Sequence, residues 1–261
     1  MRLNGKRIIL TGAAGGIGSI LARLLTERAA HCALIDADAG ALNELCRALP
    51  NTLAVPADLS GTIGCHEAAQ QAINALGGVD VLINLAGLMS FCIYEDEEIS
   101  RVERLIHVNL VAPMALSRAV LPAMLQQDEG QIVNIGSMFG SIGFAYFAAY
   151  SASKFGLRGF SQALRRELAD TNVSVTYVSP RAVKTPINTS AIMEMGVATK
   201  MKMDEPDVTA AKILQAIETD RKEAYLGFPE SLFARLNGVL PGLVDAATRA
   251  QNRVARPFAK C

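Results

Sequence analysis

The sequence has no tryptophan, only three histidines, and no excess of either charge, since 25 basic residues balance 25 acidic ones. Cysteine is sparse and scattered: none of the five forms a CxxC pair, and none pairs with a histidine at zinc-ligand spacing. We therefore expect no metal site, and we interpret the cysteines as small core residues in a reducing compartment. The charge balance argues against nucleic acid as a partner.

Long apolar runs are missing as well. No stretch of 18 apolar residues occurs, and a glycine cluster from Gly12 breaks the apolar stretch near the N-terminus, so we expect neither a signal nor a transmembrane segment. No composition break or proline- and serine-rich linker divides the chain, and 51% hydrophobic residues are ample for one core. These features predict a single-domain cytoplasmic protein.

A glycine-rich turn follows the first predicted strand. Residues 6–11 form a short β-branched run, Gly12 to Gly18 follow, and a helical pattern then begins through Leu21. Glycines permit close backbone approach, and a helix N-terminus offers free N–H groups to a pyrophosphate. The next predicted strand ends in Asp36, 18 residues after Gly18, near the spacing of a carboxylate that binds a cofactor ribose. The alternative is a glycine turn that merely ends a strand.

A phenol and an ammonium lie four residues apart at Tyr150 and Lys154, at the start of a predicted helix. Residues at this spacing share a helix face, and a nearby cation favours the ionised form of a tyrosine. We therefore expect Lys154 to lower the pKa of Tyr150 toward neutrality, which would make it a general acid and base. By itself the pair is a weak signal, because a surface tyrosine and a solvated lysine often have this spacing.

Residues 11–18 (TGAAGGIG) and Tyr150-x-x-x-Lys154 together resemble the short-chain dehydrogenase/reductase family, and the resemblance extends from residue 5 to about 228. It implies a single-domain α/β fold, a Rossmann-like doubly wound parallel sheet with helices on both faces, and the observed strand–helix alternation agrees. It also implies cofactor contacts at Gly12, Gly16, Ile17, Gly18, Asp36, Asp58, Leu59, Asn84, Gly87, Tyr150, Lys154 and Thr185.

The resemblance further implies four catalytic residues. Tyr150 would transfer the proton and Ser137, 13 residues earlier at the end of a predicted strand, would hold the reacting oxygen. Lys154 would lower the pKa of Tyr150 and bind the nicotinamide ribose. Asn109, inside a helix predicted over 97–127 and kinked at Pro113, would hold a water that resupplies the proton.

Two positions depart from the family pattern, and one segment is unusually rich in methionine. Leu85 replaces an asparagine in 84–87, and Arg181 replaces a glycine in 180–185. Four of the nine methionines fall within residues 193–203. Because thioethers adapt to irregular apolar ligands, we interpret 186–204 as a mobile lid over an apolar ligand, although methionine also fills ordinary cores.

These observations predict an NAD-dependent oxidoreductase that interconverts a small apolar secondary alcohol and a ketone. NAD is favoured over NADP because Asp36 would repel a 2′-phosphate and neighbouring Ala37 offers no cation. Three alternatives stay open: an NADPH-linked ketone or 3-oxoacyl reductase, a cofactor-binding regulator without turnover, and a membrane-surface protein. We also expect a homo-oligomer, either a dimer or a tetramer.

The C-terminal segment, residues 229–261, lies beyond the catalytic part at 1–228. Apolar residues recur at helical spacing with an interruption at Pro241 and Gly242, which predicts two short amphipathic helices joined by a turn. The apolar face would cover the subunit or close the pocket. The alternative is peripheral attachment to an anionic membrane, because five basic residues outnumber two acidic ones from residue 230 onward.

Overall fold

A seven-stranded parallel sheet in the order β3-β2-β1-β4-β5-β6-β7 forms the centre of the computed structural model, which describes residues 1–228 and 230–261. The strands are Arg7–Thr11 (β1), His31–Asp36 (β2), Thr52–Pro56 (β3), Val81–Asn84 (β4), Gly130–Ile135 (β5), Val173–Pro180 (β6) and Glu223–Leu226 (β7). The strand order reverses between β1 and β4, where doubly wound folds bind ligands at the carboxyl ends of the strands. The predicted fold class is confirmed.

Helices cover both faces of this sheet. They are Gly18–Glu27 (α1), Ala39–Ala48 (α2), Thr62–Leu76 (α3), Ile99–Ile106 (α4), Ala112–Gln126 (α5), Ala148–Glu167 (α6), Ser190–Ala198 (α7), Pro206–Glu218 (α8), Glu230–Asn237 (α9) and Pro241–Ala255 (α10). Short 3₁₀ turns occupy Tyr94–Asp96, Met138–Gly140 and Arg256–Phe258.

The central strand β1 shows how the sequence specifies two buried faces. Ile8 and Leu10 pack with Leu21 of α1 on one side, whereas Ile9 packs with Leu116 of α5 on the other. Successive side chains of a strand point to opposite faces, so a strand covered on both faces must be apolar throughout. This is the reason that residues 8–10 of β1 form a continuous apolar run without alternation.

The helix predicted over 97–127 contains an irregular turn. A π-helical segment at His107–Val111 separates α4 from α5, and Pro113 lies in the first turn of α5, where its missing N–H costs little. The predicted kink is therefore a π-bulge rather than a proline kink, and it turns Asn109 into the interior, where this residue is fully buried.

Within the described part of the chain, the helical run Ile99–Gln126 alone has the length and hydropathy needed to cross a membrane. Core helices of soluble proteins meet the same criteria. In this structure Leu116, Val120 and Met124 pack against the sheet and α3, so burial in the core accounts for the apolar composition of the run.

The C-terminal segment forms the two predicted helices, α9 and α10, followed by a 3₁₀ turn. Val244 and Ala255 of α10 are buried, as is Ala259 near the end of the chain. Ala255 and Ala259 belong to the same apolar cluster as Phe147 and Tyr150. The inner face of this segment therefore packs against the rest of the described chain.

One expectation about cysteine is wrong. Cys32 and Cys65 are buried free thiols, but Cys92 and Cys261 form a disulfide, with Cα atoms 5.1 Å apart. The two residues are separated by 169 positions, so no local spacing could have indicated the pair. The tail brings them together because it runs back over the loop after β4, where the Ile93 N–H donates to the Ala259 carbonyl at 3.3 Å.

Candidate active site

The glycine turn between β1 and α1 is packed so closely that side chains are excluded. Gly12 has φ +68°, and a Cβ on it would lie 2.8 Å from the Ala86 backbone. A Cβ on Gly18 would lie 2.0 Å from the Gly12 carbonyl oxygen. A Cβ on Gly16 would contact Thr185 at 2.9 Å, so the turn and the segment after β6 face one another. This bare backbone before a helix N-terminus fits the diphosphate of a dinucleotide.

Asp36, at the end of β2, is held beside this turn. Its Oδ2 accepts from the Ala14 N–H at 2.9 Å, and its Oδ1 accepts from the Asp38 N–H at 3.1 Å. The carboxylate is therefore oriented at the edge of the sheet next to the glycine turn. This position suits hydrogen bonds to the hydroxyls of a ribose whose phosphates lie on the turn.

Asp58 and Leu59 lie in the turn after β3. The Asp58 Oδ1 accepts from the Ser60 N–H at 2.9 Å, and this hydrogen bond lowers the pKa of the Asp58 carboxyl. The Leu59 side chain is buried in the core, and its carbonyl lies 3.1 Å from Nδ1 of His107. Neither residue lines the main cavity described below. Their predicted contacts with the cofactor stay a prediction.

Asn84 is buried in a polar network inside the molecule. Its Nδ2 donates to Oδ1 of Asn134 at 2.8 Å, and Nδ2 of Asn134 donates to the Ser161 hydroxyl at 2.9 Å. The side chain thus ties β4 to β5 and α6 in the sheet interior. Like Asp58, Asn84 does not line the main cavity. The predicted contact of Asn84 with a cofactor stays a prediction.

The departure at Leu85 is accommodated by the backbone. Thr11, at the end of β1, accepts with its hydroxyl from the N–H groups of Leu85 and Ala86 at 3.0 and 3.1 Å. The loop after β4 is therefore held through main-chain N–H groups, which any residue other than proline supplies at position 85. This role of Thr11 was not predicted from the sequence, although its place immediately before the glycine turn could have indicated it.

Ser137, Tyr150 and Lys154 meet at the carboxyl end of β5. Ser137 follows that strand, and its hydroxyl accepts from the Phe139 N–H at 3.2 Å. Tyr150 and Lys154 lie on the first turns of α6, with the Lys154 Nζ 5.8 Å from the centroid of the Tyr150 ring. That Nζ donates to the Ile135 carbonyl at 3.1 Å. The structure therefore brings together three of the four predicted catalytic side chains.

The protonation of this group differs from the expectation. Burial raises the pKa of Tyr150 to about 12, and a hydrogen bond between its phenolic oxygen and the Ser137 hydroxyl acts in the opposite direction. Burial also lowers the pKa of Lys154 to about 8. We expected the ammonium to lower the pKa of the phenol, but burial has the largest influence on the pKa of Tyr150 and acts in the opposite direction. In the protein without cofactor, burial therefore keeps Tyr150 a neutral phenol at neutral pH, and Lys154 is still mainly an ammonium, although it loses its proton at a lower pH than a free lysine.

Asn109 supports the site through the backbone. Its Oδ1 accepts from the Leu88 N–H at 2.7 Å, and its Nδ2 donates to the Leu88 carbonyl at 2.9 Å and to the Ser153 hydroxyl at 3.1 Å. Ser153 in turn donates to the Tyr150 carbonyl at 2.7 Å. A Cβ on Gly87 would lie 3.3 Å from Asn109 and 3.7 Å from the Lys154 ammonium, so Gly87 separates the two side chains.

A cavity of about 530 Å³ opens in front of Tyr150. On the cofactor side it is lined by Ile17, Gly87 and Thr185. The opposite wall is mainly apolar and includes Leu88, Phe139, Phe144, Phe147, Ile192 and Met195. The tail contributes Phe233, Val244, Ala247 and Ala255. Polar side chains such as Asn188, Lys200 and Gln251 also reach the cavity, but most of its lining is apolar. Such a lining beside one group of hydrogen-bonding side chains suits a largely apolar ligand with a reacting oxygen.

The methionine-rich segment and Arg181 form the rim of this cavity. Within 186–204, α7 carries the buried Met195, so the segment is more ordered than a plain loop. The Arg181 Nη2 pairs with Oδ1 of Asp204 at 2.5 Å, and the Arg181 N–H donates to the Leu226 carbonyl at 3.2 Å. The departure from glycine at position 181 therefore ties the end of β6 to the base of the segment and to β7.

Sequence reasoning also missed Tyr146. This residue has φ +70°, in the left-handed region that bulky side chains rarely adopt. Its hydroxyl donates to the Asn252 carbonyl of α10 at 3.1 Å, and its own carbonyl accepts from the Cys92 N–H at 2.8 Å. Tyr146 thus joins the approach to α6 with both the tail and the loop after β4. No local motif announces such a long-range contact.

A glycine turn on a doubly wound sheet, next to a tyrosine–lysine–serine group, defines a class of protein, the dinucleotide-dependent oxidoreductases. The family model of the short chain dehydrogenases matches residues 6–196. The chain belongs to the short-chain dehydrogenase/reductase family and is an oxidoreductase of that family, for which a nicotinamide cofactor is expected. The glycine cradle and the orientation of Asp36 fit such a cofactor.

Individual relatives agree with this assignment. The chain is 33% identical over 219 residues to the ketoacyl reductase HetN of Nostoc sp., covering 80% of this chain and 76% of the relative. It is 32% identical over 254 residues to dehydrogenase/reductase SDR family member 7B of Bos taurus, covering 90% and 78%. A solved short chain dehydrogenase/reductase from Burkholderia phymatum, in complex with NAD, superimposes with TM-score 0.84 at 22% identity, covering 93% and 96%.

Proposed function

We propose that this protein interconverts an apolar secondary alcohol and the corresponding ketone, using NAD(H). The observation that carries the proposal is the arrangement of Tyr150, Ser137 and Lys154 at the end of a mainly apolar cavity. A phenol and a hydroxyl at that point can both bond one reacting oxygen. The apolar walls would bind the rest of the substrate without competing hydrogen bonds.

Each residue has a stated task in this proposal. In the reductive direction the neutral phenol of Tyr150 donates its proton to the oxygen of the forming alcohol, while the Ser137 hydroxyl holds that oxygen. In the oxidative direction Tyr150 must accept the proton, and the nearby Lys154 ammonium would stabilise the resulting phenolate. A bound nicotinamide supplies the hydride acceptor or donor. Asn109 holds the Leu88 loop and, through Ser153, the first turn of α6.

Asp36 supports NAD rather than NADP in this proposal. Its carboxylate is fixed by two backbone N–H groups beside the glycine turn, where it can accept from ribose hydroxyls. A 2′-phosphate at that position would meet a negative charge at close range, which costs affinity even at an effective dielectric near that of a protein surface. The adjacent residues Ala37 and Gly15 supply no compensating cation.

A second candidate is reduction of a 3-oxoacyl substrate with NADPH. The observation that favours it is the similarity to a protein named ketoacyl reductase. The two candidates separate in one assay series, in which secondary alcohols with NAD are compared with a 3-oxoacyl thioester and NADPH. A kcat/KM for the thioester and NADPH at least tenfold above that of every alcohol tested with NAD would favour the second candidate.

Replacing Tyr150 by phenylalanine tests the proposed chemistry. The variant should lose about 10²–10⁴ in kcat on the best alcohol, because a general acid–base group is worth about that much. NAD binding, measured by calorimetry, should change little. Tyr94→Phe is the matched control, since Tyr94 is exposed and does not line the cavity. A Tyr150→Phe variant that keeps most of its kcat would show that another group transfers the proton.

A further inference from the structure

The tail contributes one wall of the substrate cavity. Val244, Ala247 and Ala255 of α10 line it, together with Phe233 of α9. Phe233 of the tail and Ile187 before α7 both line the cavity and are partly exposed, so the cavity reaches the surface at these residues. The mouth of the cavity and the tail therefore share one surface of the molecule.

The outer side of the tail is apolar where it borders this mouth. Val239, Leu240 and Leu243 are 76%, 52% and 58% exposed, and they lie at the turn between α9 and α10, directly before the cavity-lining Val244. Leu232 of α9 is also exposed, at 56%. We call Leu232, Val239, Leu240 and Leu243 the tail patch. Four large apolar side chains in one short segment exceed the scattered exposure that is normal for a soluble surface.

The tail is also positively charged in a protein that is neutral overall. Residues 230–261 contain five basic and two acidic residues, a net charge of +3, which leaves −3 for the rest of the chain. Arg249 and Arg253 are exposed on α10, and among the described residues neither forms a salt bridge. Their charge is therefore available to a partner outside the chain.

The combination of charge and apolar exposure favours one occupant of this surface. A second copy packed about a twofold axis would place the same net positive tail against itself, with repulsion that the apolar contacts must offset. An anionic lipid surface instead attracts the basic residues and accepts apolar side chains at the depth of the acyl boundary. The cavity mouth would then open next to the lipid.

We propose that the tail patch and the basic residues of α10 attach this protein to an anionic membrane surface, with the cavity mouth beside the lipid. The apolar side chains of the turn enter the interface, and the arginines pair with lipid phosphates. Delivery of an apolar alcohol or ketone from the lipid rests on the proposed function. The attachment itself does not, so it can be tested without an activity measurement.

Co-sedimentation of the full chain with vesicles tests the attachment. We expect binding to phosphatidylcholine vesicles that contain roughly 30% phosphatidylglycerol, and weaker binding to pure phosphatidylcholine or at high salt. The Leu240→Asp/Leu243→Asp variant should lower the partition coefficient by at least about tenfold. The Arg249→Gln/Arg253→Gln variant should lower it by about fivefold for each arginine removed.

Ile63→Asp/Val208→Asp is the matched control, because it removes two exposed apolar side chains from α3 and α8 and adds the same charge. This control should bind vesicles with a partition coefficient lowered by the added charge alone, well above that of the tail variant. Circular dichroism and turnover of a water-soluble substrate will show that each variant is folded.

Three results would overturn the proposal. The first is absence of binding by the intact chain to anionic vesicles, and the second is equal loss of binding in the tail and control variants. The third is a dimer that Leu240→Asp/Leu243→Asp converts to a monomer without any vesicle binding, which would assign the patch to a contact between copies. If the intact chain binds anionic vesicles but turns over none of the alcohols or ketones tested with NAD(H), the proposed function is contradicted and the membrane attachment is not.

Discussion

Because Lys154 is buried in the site, we expect that replacing it by methionine raises the free energy of unfolding and lowers turnover. Lys154 is 5% exposed, and its single described hydrogen bond is to the Ile135 carbonyl. Burial lowers its pKa from 10.5 to about 8, so the folded protein pays to hold the ammonium out of water. Replacing Lys154 by methionine, which has a similar length and no charge, removes that cost.

The size of the effect follows from the pKa. A change of one pKa unit corresponds to about 1.4 kcal/mol, so a shift from 10.5 to about 8 destabilises the fold by about 3 kcal/mol at neutral pH. Methionine leaves the Ile135 carbonyl without its donor, which costs about 1–3 kcal/mol. The net gain in the free energy of unfolding at pH 7 is therefore between about 0 and 2 kcal/mol.

The pH dependence is a sharper test than the net gain. Between the folded pKa and the unfolded pKa, the unfolded chain holds one more proton than the folded chain, so stability rises with pH. The wild type should recover about 2 kcal/mol from this group between pH 7 and pH 9.5, and Lys154→Met should not. The hydrogen bond lost in the variant does not affect this difference, since a carbonyl does not titrate.

Urea unfolding of both proteins at pH 7, 8 and 9.5, without cofactor, measures the difference. From pH 7 to pH 9.5, the free energy of unfolding of the wild type should rise by about 2 kcal/mol relative to that of Lys154→Met. Lys212→Met, at an exposed position of α8, is the control and should show no such shift. A pH-independent difference for Lys154→Met would refute the argument that the ammonium is desolvated. Turnover should fall in the variant, since no cation remains beside Tyr150.

Three further predictions concern the cofactor turn, the ribose contact and the tail. Gly18→Ala places a Cβ 2.0 Å from a carbonyl oxygen of the turn, so calorimetry should show NAD affinity weakened by at least about tenfold. Gly61→Ala is the control and should bind NAD normally, because a Cβ on Gly61 meets open space. Equal affinities of the two variants would contradict the assignment of the glycine turn to the cofactor diphosphate. Asp36→Ala should narrow the preference for NAD over NADP in kcat/KM. Asp38→Ala is the control and should leave this preference unchanged, because it removes only the N-cap of α2. A wild-type kcat/KM at least tenfold higher with NADP than with NAD would overturn the proposed role of Asp36. Reduction with dithiothreitol should lower the Tm of the wild type, because a disulfide commonly stabilises a fold by about 2–4 kcal/mol. The Tm of Cys261→Ser should not change on reduction, since this variant cannot form the Cys92–Cys261 bond. An unchanged wild-type Tm would show that the disulfide does not stabilise the attachment of the tail.

The sequence alone determined the sheet and the cofactor-side turn. Buried parallel strands need continuous apolar runs. A strand that ends in a glycine cluster before a helix is typical of a site that binds the diphosphate of a dinucleotide. The spacing from Gly18 to Asp36 reflects one helix and one strand of ordinary length, so it is legible without coordinates. The shared helix face of Tyr150 and Lys154 is equally local, because it depends only on the helical repeat.

Tertiary structure decided what depends on burial and on distant segments. The pKa values of Tyr150 and Lys154 moved apart because both side chains lost water, and desolvation is set by everything packed around them. The pairing of Asn84 with Asn134 in the interior follows from the register of β4 against β5, which no motif around residue 84 encodes. A pattern along the chain does not show how deeply a side chain is buried or which distant residue it contacts.

The tail shows the same limit most clearly. Its two helices were legible from their apolar spacing, because amphipathic periodicity is a local property. Its path over the cavity, its tie to Tyr146 and the pairing of Cys92 with Cys261 depend on where a long chain returns after seven strands. Contacts between residues far apart in sequence arise from the closure of the whole fold, so only the folded structure reveals them.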